Sequence, residues 1–236
     1  MQLFSASGIR SGHRVLDVAA GMGNVSLHAA LVGAHVIASD LTPELLDRAQ
    51  ARAAAEGLEL GWREANAEAL PFDANEFDAV LSAIGVMFAP RHQRTADELA
   101  RVCRRRGTIG VISWTPEGFY GQMLSAIRPH RPTLPTGAPH EVWWGSEDYV
   151  SDLFRGLASD IRTHRSTLKV HRFDTPEARR DYFKSYYGPM INAYRNIADD
   201  PRRVAALDDE LTELCGRYLN DGVMEWEYLI MVARKG

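Results

Sequence analysis

Two cysteines in 236 residues, Cys103 and Cys215, cannot build a disulfide framework, so a hydrophobic core has to hold the fold. No stretch reaches the roughly 18 apolar residues of a spanning helix. The start, Met1-Gln2-Leu3-Phe4-Ser5, lacks the basic segment and long apolar run of a secretory leader. A reduced, cytoplasmic setting with no membrane span is expected. Positive charge is in short supply too: 27 Lys and Arg against 31 Asp and Glu leave a formal net charge of −4, without the basic footprint of a nucleic-acid or anionic-membrane protein. Metal-ligand spacing is also missing. The histidines at 13, 28, 35, 92, 130, 140, 164 and 171 make no His-x-x-x-His pair, and the cysteines stand far apart. No internal repeat or low-complexity tract is present.

Hydrophobic residues at 45% and charged ones at 25% suit a single globular domain able to bury its own core. The first half alternates short β-branched runs with longer amphipathic stretches, the pattern of βαβ units in an α/β, doubly wound sheet. Strands are expected at Arg14–Val18, His35–Ser39, Leu58–Arg63, Asp78–Ser82 and Thr108–Trp114. Helices are expected at Asn24–Val32, stopped by Gly33, and after Thr42-Pro43, stopped by Gly57. A further helix is expected from the capping box Thr95-Ala96-Asp97-Glu98. The basic run Arg104-Arg105-Arg106 reads as cations at that helix's C-terminus. Past Thr115 the composition shifts: Pro129, Pro132, Pro135, Gly137 and Pro139 crowd a segment without a period, read as a long loop or lid. Strands at Ile161–Phe173 and Val223–Ala233 enclose a helix from Thr175-Pro176 and another over Pro201–Tyr218. The division expected is a cofactor-binding core over 1–115, a lid over 116–150 and a helical insertion over 174–220, all within one domain.

The chemistry centres on Val15-Leu16-Asp17-Val18-Ala19-Ala20-Gly21-Met22-Gly23-Asn24, a strand running through a glycine turn into a helix, where backbone can approach a ligand closely. Asp40 ends the next strand, placed to take the ribose hydroxyls of an adenosine cofactor. Two details oppose a dinucleotide. The third fingerprint glycine is replaced by Ser26, and Asp17 at the loop's mouth repels phosphates. A cofactor with a cationic end and no phosphate, as in S-adenosylmethionine, suits Asp17 better. A purely structural role, capping the following helix, would also account for an aspartate there.

These residues, followed by Ala38-Ser39-Asp40-Leu41-Thr42-Pro43, Asn66-Ala67-Glu68-Ala69-Leu70-Pro71-Phe72, Phe77-Asp78-Ala79-Val80 and Glu98-Leu99-Ala100-Arg101-Val102, resemble the class I S-adenosylmethionine-dependent methyltransferases, in particular the group related to ubiquinone/menaquinone C-methyltransferases. The resemblance covers about residues 13 to 115. It implies a Rossmann-like, seven-stranded, mostly parallel sheet with helical lid insertions. It also implies S-adenosyl-L-methionine as cofactor and S-adenosyl-L-homocysteine as product. The methionine end would lie around Asp17, Ala19, Ala20 and Gly21, and the ribose on Asp40. The adenine would lie near Leu41, with its edge on Asn66 and Ala67, while Ser82 and Ala83 line the methionine side. Ala19 stands in place of a glycine, which is tolerable at negative φ. Asn66 replaces a common aspartate and is a weaker, neutral acceptor for the adenine amino group. Arg105 and Arg106 replace a common Pro-Gly. Val15 opens the first strand after only 14 residues, where relatives commonly carry an extra helix over the cofactor.

Methyl transfer is an in-line displacement that rests on positioning and needs at most one general base, none for a carboxylate acceptor. His92, at a solvated helix start, His140 and Tyr120 are the candidates; no catalytic residue is assigned. Phe119, Tyr120, Met123, Trp143 and Trp144, with Tyr182, Phe183, Tyr186, Tyr187, Met190 and Tyr194 further on, form either core or an apolar pocket for a flat or greasy acceptor. The expected partner is a small-molecule acceptor, without nucleic acid, and nothing in the chain opposes a homodimer. Two other readings stand beside this one. A nicotinamide-dependent oxidoreductase on the same sheet is opposed by Ser26 and Asp17. A non-catalytic methyltransferase-like scaffold is suggested by Ala19 and Asn66.

Overall fold

The computed structural model describes residues 2–132 and 135–236; Met1 and, in the proline-rich segment, Thr133 and Leu134 lie outside the described residues. The chain divides into two compact units, Met1–Ser113 with Pro139–His164 and Leu229–Gly236, and Trp114–Ala138 with Arg165–Tyr228.

The first unit is built on strands β1 (Arg14–Val18), β2 (His35–Asp40), β3 (Gly61–Glu64), β4 (Phe77–Ala83) and β5 (Cys103–Trp114). It also takes the start of β6 (Ala158–Val170) and the end of β8 (Val223–Lys235). The sheet order is β3-β2-β1-β4-β5-β8-β6, and the two-residue β7 (Leu219–Asn220) pairs only with β8. Pairings β1/β2, β1/β4, β2/β3 and β4/β5 are parallel. Parallel strands are covered on both faces, which is why neighbours along the chain such as Val15 and Leu16, or Val80 and Leu81, are both apolar and almost fully buried, as is Val18 beyond Asp17. Helices α1 (Gln2–Ser7), α2 (Asn24–Leu31), α3 (Pro43–Ala55), α4 (His92–Val102) and α6 (Glu147–Leu153) complete the unit. The order reverses at β1, which has β2 on one side and β4 on the other; the ends of these strands form the crevice where doubly wound sheets bind ligands.

Several local expectations are corrected. The residues before β1 include α1, whose Leu3 is buried and whose Leu3 Cδ1 and Ser7 Oγ lie 3.0 and 2.9 Å from where a Cβ on Gly110 would stand. The capping box does not form. Helix α4 begins three residues earlier, Thr95 Oγ1 donates back to the Arg91 carbonyl, and the Glu98 carboxylate takes the Leu70 amide and the Arg101 guanidinium instead. Charge-assisted bonds to a tertiary partner outweigh a local cap. Arg104, Arg105 and Arg106 open β5 rather than closing a helix, with Arg104 paired to Asp78 and Arg106 at φ 60°, left-handed where a glycine is common.

The second unit carries α5 (Phe119–Ile127), α7 (Pro176–Tyr186), α8 (Gly188–Asn196) and α9 (Pro201–Tyr218). α5 lies within the stretch the sequence left without a period. The aromatic face expected as one helix breaks at Tyr187, because Pro189 cannot continue α7 and instead begins α8. Phe183, Met190 and Tyr194 are buried there, whereas Tyr186 is exposed. Asp208 on α9 ties the helices together by accepting from Lys184 on α7 and Tyr194 on α8, and these bonds hold its carboxyl below the usual range.

Candidate cofactor site

The first unit contains a cavity of about 380 Å³ at the strand ends. Ala19 and Gly21 from the turn after β1 line it, with Asp40, Leu41 and Thr42 at the end of β2, Leu45 on α3, and Ala65, Asn66 and Ala67 after β3. Ile84, Gly85, Val86, Phe88 and Ala89 after β4 close the ring. Asp40 organises this mouth: its Oδ2 accepts the Gly21 amide at 2.8 Å and its Oδ1 the Thr42 amide at 2.9 Å. It is also the only ionisable side chain among these lining residues. Leu41, 64% exposed on the rim, offers bare apolar surface to a flat ligand.

The loop after β3 is fixed from below. Asn66 Oδ1 accepts the Glu68 amide at 2.9 Å, an Asx turn. Glu98 accepts the Leu70 amide while Arg101 donates to the carbonyls of Leu70 and Phe72. Buried Glu68 accepts both the Arg91 amide and its Nε at 2.7 Å, joining this loop to the segment after β4.

A methyltransferase-domain model matches residues 15–107. The chain is 76% identical to the uncharacterized protein Rv1403c of Mycobacterium tuberculosis, over 99% of this chain and 85% of that one. It is 39% identical to the ubiquinone/menaquinone biosynthesis C-methyltransferase UbiE of Allorhizobium ampelinum over 138 residues, 54% of each chain. In fold it matches the YcgJ protein of Bacillus subtilis, with a TM-score of 0.67 and 19% identity over 99% of this chain and 96% of that one. The chain belongs to the class I S-adenosylmethionine-dependent methyltransferases.

Of the residues expected to hold S-adenosylmethionine, Ala19, Gly21, Asp40, Leu41, Asn66 and Ala67 stand together on the cavity wall of this methyltransferase. Asp17, Ala20 and Ser82 do not line it. Ser82 Oγ accepts the Val86 amide, and Asp17 is buried, with Oδ2 taking the Ser26 hydroxyl at 2.5 Å in the first turn of α2. Ile84, Gly85 and Phe88 carried no sequence signal: an apolar run after a strand looks like core. His92 is buried rather than solvated, hydrogen-bonded to Tyr149 at 3.0 Å and set against Trp144. His140 Nδ1 accepts the Val142 amide. Burial raises the Tyr120 phenol above its ordinary range.

Two residues of the wall are strained. The negative φ expected at Ala19 is overturned: Ala19 sits at φ 54° and Ile84 at φ 61°, and for a β-branched residue that region is a genuine outlier. Such strain, of order 1–3 kcal/mol each, collects at ligand clamps. Ala19→Gly should therefore raise stability by about 1 kcal/mol, read as a higher midpoint in denaturant with an unchanged slope.

Burial pushes Asp17 up to about 7 against the lowering pull of its bonds from Ser26, with Asp40 adding repulsion. Between about pH 4 and 7 the unfolded chain loses this proton while the folded protein keeps it. Stability from this group therefore falls as pH rises, by up to about 1.4 kcal/mol per unit. Asp78, Glu98 and Asp208, held below their ordinary range, act only in more acidic solution. Asp17→Asn should flatten the decline between pH 5 and 7, measured by urea unfolding across that range.

Proposed function

We propose that this methyltransferase acts on a small lipophilic or aromatic acceptor. The observation that carries the reading is the wall itself: the residues suited to a methionine end, a ribose and an adenine, drawn from three separate strand ends, share one cavity whose single ionisable group is Asp40. S-adenosylmethionine would supply there an electrophilic methyl group on a sulfonium sulfur, with a neutral thioether as leaving group. The chain's part is placement. The turn Ala19–Gly21 would receive the methionine end, and Asp40, the one carboxylate on the wall, would accept from the ribose through its remaining lone pairs. Leu41 and Phe88 give apolar cover, while Asn66 and Ala67 read the adenine edge. No residue of this wall is a general base, which favours acceptors that arrive ionised or need none.

Titration calorimetry with S-adenosylmethionine, S-adenosylhomocysteine and NAD tests the cofactor assignment: micromolar binding of the first two and none of NAD is expected. Failure of both to bind the folded protein would favour the scaffold reading. Cofactor consumption with lipophilic phenols and acids but not with polar amines tests the acceptor class.

A further inference from the structure

The second unit buries an arginine that none of its described residues neutralises. Arg179, near the start of α7, has no solvent exposure, and its Nε, Nη1 and Nη2 have no hydrogen-bond partner among the described residues. Four rings surround the guanidinium: Trp226 at 4.3 Å from Cζ, Phe173 and Phe183 at 4.6 Å, and Phe119 at 4.7 Å. Ring faces attract the cation but offer its five N–H donors no acceptor. A buried charge without a counterion is costly and persists only where something compensates.

The ionisable groups acting on it do not compensate. They are Tyr120, Tyr182 and Cys215. Burial raises the Tyr120 phenol and pushes the Cys215 thiol up to about 11, so both are neutral at pH 7, whereas burial lowers Arg179 only to about 10 and leaves it charged. The neighbouring carboxylate on α7, Asp181, is engaged by Arg180. A second buried donor, Trp226 Nε1, also has no hydrogen-bond partner among the described residues. The cluster thus consists of donors inside an aromatic wall. A water could take a hydrogen bond there but could not balance the charge.

We propose that Arg179 and the Trp226 indole N–H form the recognition point of a binding site in the second unit for a small organic anion, a carboxylate on a flat or aliphatic apolar body. The carboxylate matches the planar guanidinium fork, and the rings take the apolar part. The binding claim concerns this unit by itself and is independent of the cofactor assignment.

The test uses the full chain and benzoate, hexanoate, inorganic phosphate and the neutral benzamide, followed by calorimetry and thermal shift, with S-adenosylhomocysteine titrated separately to read the other site. Benzoate or hexanoate should bind at least ~10-fold more tightly than benzamide, and Arg179→Met should weaken that binding by ~10–100-fold while S-adenosylhomocysteine binds as before. Trp226→Phe, which keeps a ring and removes the donor, should weaken it by ~3–10-fold, and carries the test alone if Arg179→Met does not fold. Carboxylates binding no better than the amide, binding equally to Arg179→Met, or not binding at all would overturn the proposal. So would binding of inorganic phosphate alone.

Discussion

Gly85→Ala should lose about 3 kcal/mol of stability and most of the affinity for S-adenosylhomocysteine. Gly85 has φ −107°, so the glycine is required for space rather than for backbone freedom. A Cβ there would stand 2.5 Å from the Ala19 Cβ and closer still to the Ala19 carbonyl oxygen. Backbone cannot yield as a flexible side chain would, and Ala19 is already left-handed, so relief must come from shifting the turn after β1 or the segment after β4. Both line the cavity. For a chain of this size the loss corresponds to a melting temperature about 6–12 °C lower. Gly21→Ala is the control: its φ of 54° makes a side chain strained, but nothing lies within 4 Å of the added Cβ, and the cost should stay near 1 kcal/mol. Adding Ala19→Gly to Gly85→Ala removes the contact between side chains but not that with the carbonyl, so rescue should be partial. Equal melting temperatures for Gly85→Ala and the parent would show that the two segments do not meet as described.

Asp40→Ala should weaken S-adenosylhomocysteine binding by about 10–100-fold, the worth of a charged acceptor at about 1.5–3 kcal/mol. Part of that loss is indirect, because the Gly21 and Thr42 amides both donate to this carboxylate and would lose their acceptor. Asp40→Asn separates the contributions. It leaves one acceptor oxygen and sets an amide NH2 against the other backbone donor, so the protein should be destabilised even where ligand contacts are retained. Calorimetry on both variants, with unfolding midpoints measured alongside, reads affinity and stability independently. Unchanged affinity in a folded Asp40→Ala protein would move the ribose elsewhere.

Legibility differed from element to element for physical reasons. β1 and α9 have the bounds the sequence predicts, Arg14–Val18 and Pro201–Tyr218: a buried strand is an apolar run between turn signals, and α9 has an aspartate cap, a proline at its first position and a 3.6-residue stripe. Boundaries failed where a tertiary partner competed with a local signal. Glu98 could have capped α4, yet Arg101 and the Leu70 amide hold it; α3, with no such competitor, starts at Pro43 directly after Thr42 as expected.

The sequence by itself determined the doubly wound order of elements, the glycine turn, the acidic end of β2 and the family, because periodicity, glycine placement and charge are local properties that each segment carries. The tertiary structure alone decided which of those residues share a wall. Asp17 withdrew behind the turn to Ser26, Ile84 and Gly85 came forward from an apolar run, and Ala19 was driven into the left-handed region. It likewise enclosed Arg179 in four rings drawn from α5, α7, β8 and the segment after β6, a charge whose surroundings no spacing along the chain reveals. Burial and contact belong to pairs of segments distant in sequence, and these set strain, proton affinity and access to a ligand.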